Sequence, residues 1–438
     1  MRKLSDKEMA SSIGEKHVAS GFSRTFFKTG HTPTLVAALL YFDVSFMAWV
    51  LLGPLAPFLR QQFGLSSTQQ GLLVAVPLLG GSAFRPVLGV LADRIGGRRA
   101  GLVGLTLTIA ALLIGWTMAT APWHLFVLGF FLGIAGASFA VALPLASRWY
   151  PPEYQGLAMG IVGAGNSGSL MATLFAPRLA ERIGWANTFG LAMLPVVCVT
   201  IVFALTAKDS LPRSARVSWR DYAGVLREPD TIWFSFLYSL TFGGFVGFAS
   251  FLTTFFHEQY HMSRVSAGDF TTIVVVSGSL MRPLGGWLSD RLGGYRLLLL
   301  LLAGVAVCLG TVATLPPLLA VVPLLFVAVG LLGMGNGAVF QLVPQRFADR
   351  MGIVTGIVGA AGGLGGFFLP SMLGAVKDAT GSYAMGLMLL SGAFMAGSIV
   401  LLELGARWTG RWHAGAVKQA GLFCYRDRVR ELLGREAA

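Results

Sequence analysis

Charged residues are scarce in this sequence. Lys, Arg, Asp and Glu make up 12% of the 438 residues, whereas 55% are hydrophobic. A soluble domain carries about 25% charged residues and cannot hide so large an apolar excess from water. The composition therefore excludes an ordinary soluble protein and indicates a chain that lies within a membrane.

Cysteine is also rare, with three residues, Cys198, Cys308 and Cys424. The first two fall in apolar runs and the third in a basic tail, and neither a Cys-x-x-Cys pair nor a His cluster offers metal-ligand spacing. We therefore expect packing cysteines, without a disulfide framework, a metal site or a cofactor. The His residues form no catalytic cluster either, which argues against an enzyme.

The first 33 residues lack the apolar run of a signal peptide and carry six Lys and Arg. We expect this segment to be cytoplasmic, with the first membrane helix acting as an uncleaved insertion signal.

Twelve apolar runs are long enough to cross the ~30 Å hydrocarbon core, which takes about 20 helical residues. They predict an all-α integral membrane protein with twelve transmembrane helices. Numbered as spans 1 to 12, they cover residues 34–59, 67–91, 101–120, 123–147, 156–177, 187–207, 231–256, 267–289, 297–315, 319–343, 353–375 and 383–405.

The net charge of +13 is sorted by side of the membrane. Of the 33 Lys and Arg, 26 fall in the two termini and in the loops after spans 2, 4, 6, 8 and 10, a side that we call the basic face. The other side, the opposite face, carries Arg60, Arg178, Arg182, Arg264 and Lys377. The positive-inside rule places the basic face and both termini in the cytoplasm. The basic residues thus set the topology of the chain, and they contact the lipid headgroups of the membrane. We expect no nucleic-acid partner.

The chain repeats itself at an offset of 197 residues in its longest match and 196 in a shorter one. SAFRPVLGVLADRIGGRR at 82–99 matches SLMRPLGGWLSDRLGGYR at 279–296, and GIVGA at 160–164 returns at 356–360. Span 2 therefore corresponds to span 8, and span 5 to span 11. Two six-helix bundles related in this way are typical of transporters whose substrate site lies between the halves.

This repeat sets the predicted domains. They are an N-terminal segment (1–33), an N-terminal bundle (34–207), a cytoplasmic linker (208–230), a C-terminal bundle (231–405) and a basic tail (406–438). The tail mixes Arg with aromatic residues, so that it either lies on the inner leaflet as an amphipathic segment or is disordered.

Arg85 and Arg282 are the two basic residues deep inside spans. Arg85 lies eight residues before Asp93, and Arg282 lies eight residues before Asp290. At ~1.5 Å per helical residue, each guanidinium lies ~12 Å inside the cytoplasmic end of its helix, near the midplane of the membrane. An intramembrane arginine costs at least ~2.5–3.5 kcal/mol. An internal salt bridge would need acidic partners at this depth, and Asp43 alone cannot neutralise two arginines. We therefore expect the two guanidinium groups to bind an anionic substrate across a central cavity.

The segments GVLADRIGGRR and GWLSDRLGGYR resemble the loop motif of the major facilitator superfamily, and the resemblance covers nearly the whole chain. Their aspartates can cap or pair with neighbouring helix ends, and their glycines make a tight turn. We expect a gating or packing role for Gly89, Asp93, Arg94, Gly97, Arg99, Gly286, Asp290, Arg291, Gly294 and Arg296.

Spans 5 and 11, GLAMGIVGAGNSGSLMATLFAP and GIVTGIVGAAGGLGGFFLP, resemble the two nitrate signature motifs of bacterial NarK-like nitrate/nitrite porters. Such glycines let helix backbones approach closely, and packing is the alternative reading of their role. The resemblance implies transport of nitrate and nitrite across the bacterial cytoplasmic membrane by a monomer. The signature glycines are Gly160, Gly163, Gly165, Gly168, Gly356, Gly359, Gly362, Gly363, Gly365 and Gly366.

The same family places aromatic and amide side chains near the bound anion. The matching stretches here are GIAGASFAVALP in span 4, GAGNSG in span 5, YSLTFGGFVGF in span 7 and GMGNGAVFQ in span 10. They give as candidates Phe139, Asn166, Tyr238 and Phe242, with Asn336 and Gln341 as weaker ones.

The family includes nitrate/nitrite exchangers and proton-coupled nitrate importers. Proton coupling needs a group whose charge changes, and Asp43 in YFDVSFMAWVLLGPLAP is the one deep carboxylate. We expect Asp43 to pair with Arg85 when the site is empty and to take a proton when nitrate arrives. A fixed salt bridge or a helix-packing hydrogen bond is the alternative. The span 1 stretch looks more like the symporter branch, and exchange stays open.

Three other functions remain to be separated. A porter for an organic anion or phosphate would keep the fold and change the substrate, and chlorate and nitrite should then fail to compete. A membrane sensor would need a signalling domain, for which the tail is short. A membrane enzyme would need a catalytic cluster.

Overall fold

The computed structural model describes residues 29–210, 219–347 and 351–422, and all regular structure in these ranges is helical. The helices of spans 1 to 6 are Thr32–Val50 with Leu52–Phe63, Ser67–Ile95, Gly97–Thr117, Pro122–Gly136 with Phe139–Ser147, Pro152–Gly163 with Gly168–Ile183, and Trp185–Thr206. Those of spans 7 to 12 are Pro229–Gln259, Arg264–Leu292, Gly294–Val312, Leu318–Arg346, Met351–Thr380 and Ala384–Arg411. Short helices Trp219–Leu226 and Ala414–Ala420 lie in the linker and the tail.

The twelve predicted spans all coincide with helices, so the all-α membrane fold is confirmed. Eleven of the described helical spans are long and apolar enough to cross a membrane by themselves. The exception is span 8, Arg264–Leu292, which carries polar residues along its length. Span 8 is thus the least apolar of the set, and it carries one of the two deep arginines.

Spans 1, 4 and 5 each consist of two helices, and the breaks in spans 4 and 5 bear on the site. Span 5 passes through a 3₁₀ turn, Ala164–Ser167, because its glycines favour the α-helix weakly. The helix of span 4 is interrupted between Gly136 and Phe139. Some backbone C=O and N–H groups at this break therefore have no hydrogen-bond partner within the helix. These two breaks put polar backbone and Asn166 in the middle of the bundle.

The two halves pack backbone to backbone towards the opposite face. A side chain at Gly71 of span 2 would overlap the Pro370 carbonyl of span 11, and one at Gly374 would overlap the Ser67 carbonyl. In a second contact between the halves, towards the same face, a Cβ at Gly268 of span 8 would lie 2.6 Å from the Thr173 carbonyl of span 5. Bare glycines therefore make the close contact between the halves possible.

Polar contacts join the halves at the same end. Arg60 pairs with Glu258, which also accepts a hydrogen bond from the Tyr383 hydroxyl at 2.6 Å. The Asp378 carboxylate accepts from the backbone N–H of Ser67 at 3.0 Å and caps the start of span 2. Arg178 and Asp269 form a further ion pair between spans 5 and 8 at 2.6 Å. The opposite face of the protein is therefore closed in this structure.

The first loop motif is held by its neighbours. Asp93 pairs with Arg148 at the end of span 4 at 3.1 Å, and Asp209 accepts from the Arg98 N–H at 3.0 Å. Arg94 and Arg99 are exposed on the basic face.

The second loop motif rests on the tail. Gly293 and Gly421 both have positive φ, and their backbones touch, so that glycine is required at both positions. Arg296 Nε donates to the Gly421 carbonyl at 2.8 Å, and Arg291 lies 4.0 Å over the Trp287 ring. The start of the tail is thus a docked helix, and residues 423–438 lie outside the described ranges. The predicted domain boundaries stay a prediction.

Candidate functional site

Arg85 is buried in the middle of the bundle, with 2% of its surface exposed. Its Nε donates to the Gly136 carbonyl at the break of span 4 at 3.1 Å, and its Nη1 donates to the Gly359 carbonyl of span 11. Its Nη2 has no hydrogen-bond partner in the described part of the chain. Two backbone carbonyls therefore orient the fork and leave one N–H₂ group free to bind a substrate.

Arg282 approaches the same place from the other half. Its guanidinium carbon lies 6.0 Å from the centre of the Phe139 ring, and that of Arg85 lies 5.5 Å from it. The two arginines are close enough to repel each other. Arg282 is only partly buried, and its Nη1 finds no hydrogen-bond acceptor within residues 29–210, 219–347 and 351–422. Both arginines therefore lie against the same ring, Phe139, one from each half.

No carboxylate of the described residues pairs with either arginine. The ion pairs of the described residues all lie near the two faces, at Arg60, Arg148, Arg178 and Arg346. Burying two unpaired cations is costly unless an anion joins them. The salt-bridge alternative considered for these arginines therefore finds no support among the described side chains.

Aromatic rings surround the arginines. Tyr238 and Phe242 stack at 5.1 Å with an interplanar angle of 5°, and Arg85 lies 5.2 Å over the Phe242 ring. The Tyr238 phenol interacts electrostatically with both guanidinium groups. With Phe139, these residues form an aromatic wall around the two arginines.

Two further rings complete the wall, and the sequence reasoning missed both. Trp49 lies under Arg85, and Phe340 packs on Tyr238 at 4.8 Å and on Phe139 at 6.0 Å. A signal existed for each. Trp49 follows Phe42 and Phe46 at helical spacing, and Phe340 lies one turn after Asn336.

Asn166 and Asn336 are fully buried, one in the 3₁₀ turn of span 5 and one in span 10. All four of their side-chain amide atoms lack a hydrogen-bond partner among the residues that the structure describes. Asn166 lies one turn from Gly163, whose missing Cβ would sit 3.7 Å from the Arg282 guanidinium. Buried amides of this kind are costly without a partner, which marks both as candidate ligands for a polar substrate.

Gln341 is a correction. Its side-chain oxygen accepts from the Gly294 N–H at 3.2 Å and its amide interacts with Asp290, both in the second loop motif. Its position follows Phe340, and one residue turns a helix by 100°, so that Phe340 rather than Gln341 faces the site. Gln341 therefore belongs to the loop motif and not to the substrate site.

Asp43 also differs from expectation. Its carboxylate accepts a hydrogen bond from the Ser167 hydroxyl at 2.6 Å, and it makes no ion pair with Arg85 or any other described residue. The helix-packing hydrogen bond is thus the alternative that the structure shows. Since Ser167 follows Asn166 in the same turn, Asp43 is linked to a candidate substrate ligand.

The signature glycines fall into two groups. Several allow tight packing: a Cβ at Gly168 would overlap the Asp43 carbonyl, and one at Gly362 would lie 2.6 Å from the Tyr238 ring. Similar packing positions are Gly165, Gly363, Gly365 and Gly366. Others line the site, since Gly163 faces Arg282 and Gly359 faces Arg85. Packing and site construction therefore share these motifs.

The spans are loosely packed on the basic side of the site. Apart from the neighbouring residues of their own helices, no described atom lies within 4 Å of the Cβ positions of Gly160, Gly286 and Gly356, and Gly89 meets only the Ala140 methyl at 3.8 Å. These glycines lie on the basic side of the site, one on each of spans 2, 5, 8 and 11. The packing between spans 2, 5, 8 and 11 is therefore looser on the basic side of the site than at the closed opposite face.

Comparison with known proteins agrees with this architecture. A model of the Major Facilitator Superfamily matches residues 37–370. The probable nitrate/nitrite transporter NarK2 of Mycobacterium tuberculosis (strain ATCC 25618 / H37Rv) is 38% identical over 370 residues, which cover 82% of this chain and 93% of the relative.

Two further relatives have similar coverage. The nitrite extrusion protein of Bacillus subtilis (strain 168) is 34% identical over 82% of this chain and 90% of its own. The probable nitrate/nitrite antiporter NarK1 of Thermus thermophilus is 32% identical over 78% and 84%. The chain therefore belongs to the major facilitator superfamily of membrane transporters, which are not enzymes, and within it to the NarK-like nitrate/nitrite porters.

Proposed function

We propose that this protein carries nitrate, and also nitrite, across the cytoplasmic membrane by alternating access. The observation that carries the proposal is the pair of guanidinium groups, Arg85 and Arg282, that share an aromatic site without a carboxylate partner. The names of the relatives support the same substrates.

The chemistry of the site favours a small, flat monoanion. Nitrate is planar, so that guanidinium forks can bind its oxygens edge-on while aromatic rings cover its faces. The unpartnered amides of Asn166 and Asn336 add neutral donors to the set. A phosphate or carboxylate would need more room and more charge-assisted donors than one pair of arginines beside stacked rings offers.

The looser packing on the basic face sets the direction of one half-cycle. With both termini in the cytoplasm, the anion would exchange with the cytoplasm on this side, and the ion pairs of the opposite face must separate for the outward state. An empty site with two repelling arginines resists this change, and a bound anion relieves the repulsion. We expect one chain to be sufficient, since both arginines come from the same chain.

Asp43 is our candidate for proton coupling, and we favour nitrate/H⁺ symport over exchange. The Asp43 carboxylate and the Ser167 hydroxyl share a hydrogen bond at 2.6 Å, next to Asn166. Protonation of Asp43 would remove a charge-assisted bond and change the position of the 3₁₀ turn that carries Asn166. A proton and the anion would then act on the same segment.

The test is nitrate entry into proteoliposomes of the purified protein under two conditions. One has nitrite trapped inside and no pH gradient, and the other has an acid-outside gradient and no nitrite. Entry with the gradient alone supports symport, whereas entry with trapped nitrite alone supports exchange and makes Asp43 structural. Entry in neither condition, with intact vesicles and correctly folded protein, would refute nitrate transport.

A further inference from the structure

We propose that Trp49 is a positioning residue for the anion site, which holds the Arg85 guanidinium in the orientation that leaves Nη2 for the substrate. The inference rests on the proposed nitrate function and names a residue of that same site. It starts from the way in which Trp49 is fixed.

The indole of Trp49 is locked in place. It is fully buried, and its Nε1–H donates to the Pro77 carbonyl of span 2 at 2.7 Å. Two glycines make room for it: a Cβ at Gly81 would lie 2.7 Å from the ring, and one at Gly136 would overlap it. Since three neighbours from spans 2 and 4 confine the ring, it has little freedom to change rotamer.

This fixed ring forms a platform for Arg85. The guanidinium carbon lies 5.2 Å from the ring centre, within the range of a cation–π interaction. Gly136 serves both groups, because its missing side chain admits the indole and its carbonyl accepts from Arg85 Nε. Trp49, Gly136 and Phe139 all belong to the N-terminal half, so Arg85 keeps these three contacts when the halves move.

The second half has a smaller ring in the corresponding place. Gly278 is the counterpart of Gly81 in the repeat, and a Cβ there would lie 2.5 Å from the Phe245 ring, as one at Gly81 would lie 2.7 Å from Trp49. Within the described ranges, the aromatic ring in cation–π range of Arg282 is Phe139 at 6.0 Å, which comes from the other half. Arg85 is therefore the prearranged arginine of the pair, and Arg282 is the one whose position depends on the state of the transporter.

The experiment compares Trp49→Leu and Trp49→Phe with wild type in proteoliposomes, at several nitrate concentrations. We expect Trp49→Leu to raise the KM for nitrate about tenfold with little change in kcat, because Arg85 loses its platform. Trp49→Phe keeps a ring face and should recover most of that affinity. A purely structural role would lower the amount of active protein without this split.

Trp408→Leu is the matched control. Trp408 is also a buried tryptophan whose indole N–H is hydrogen-bonded, to Asp230 at 2.9 Å, but it lies at the basic end of span 12. Its loss should lower the Tm and leave the KM for nitrate unchanged.

A second pair of variants covers the case in which Trp49→Leu does not fold. Gly81→Ala pushes a methyl group against the indole and should raise the KM, whereas Gly304→Ala in span 9 meets the Leu331 side chain at 2.9 Å and no part of the Trp49 site, and should leave the KM unchanged. A wild-type KM in folded Trp49→Leu or in Gly81→Ala would overturn the inference while wild type still carries nitrate. A wild type that carries no nitrate would overturn the proposed function first.

Discussion

Arg85→Lys is the substitution that separates charge from geometry at this site. Arg85 uses Nε and Nη1 on the carbonyls of Gly136 and Gly359, and offers Nη2 to the anion. A lysine keeps the positive charge but has one ammonium group, which cannot reach both carbonyls and the anion together.

The expected loss follows from these contacts. At least one hydrogen bond between the guanidinium group and the nitrate disappears, and a hydrogen bond between charged groups contributes about 1.5–3 kcal/mol. Since about 1.4 kcal/mol corresponds to tenfold in affinity, the KM for nitrate should rise roughly 10- to 100-fold. The two buried carbonyls also lose a partner, so the Tm should fall as well.

The assay is nitrate uptake into proteoliposomes, normalised to folded protein, together with a thermal unfolding curve in detergent. Arg346→Lys is the control, because Arg346 also holds a buried carboxylate, Asp230, with its Nε at 2.5 Å, but far from the site. It should lose stability and keep the wild-type KM. A wild-type KM in Arg85→Lys would refute the role of the guanidinium fork.

Three further predictions concern other parts of the molecule. Asp43→Asn should abolish uptake driven by an acid-outside gradient, and Ser167→Ala should shift its pH dependence; unchanged pH profiles would remove this pair from the mechanism. Glu258→Gln weakens the closed opposite face by about 1 kcal/mol, which shifts the ratio of inward- to outward-facing states roughly fivefold; labelling of Gly356→Cys by an aqueous thiol reagent from the basic face should therefore fall, and equal labelling would contradict the assigned state. Gly421→Val forces a β-branched residue into positive φ, which should lower the Tm by about 2–4 °C at unchanged KM, as a thermal melt with an uptake assay will show.

Hydropathy and the internal repeat predict most of this fold. Every apolar run became a helix, because a membrane-spanning segment must satisfy its backbone internally. The pairing of Arg85 with Arg282 also follows from sequence, since the repeat fixes their common depth and the cost of burial points to a shared anion.

The rest of the site depends on contacts between spans that are distant in sequence. Trp49 was not predicted, because its place is made by Gly81 and Gly136 on two other helices. The sequence assigned Gln341 to the site, whereas the side chain that faces the site is that of Phe340, one position earlier. Successive helix residues point 100° apart, so an error of one position changes which side chain faces the site. The partner of Asp43 depended on where the 3₁₀ turn of span 5 lies, which a glycine-rich stretch does not determine.

Direct binding of nitrate to the purified protein tests the central claim, that Arg85 and Arg282 together hold the anion. A calorimetric titration of wild type and of Arg85→Ala/Arg282→Ala, each confirmed as folded by thermal melting, gives the comparison. We predict one nitrate per chain in wild type, competition by nitrite and chlorate, and no measurable binding to the double variant. Equal nitrate affinity in the two proteins would contradict this account of the site.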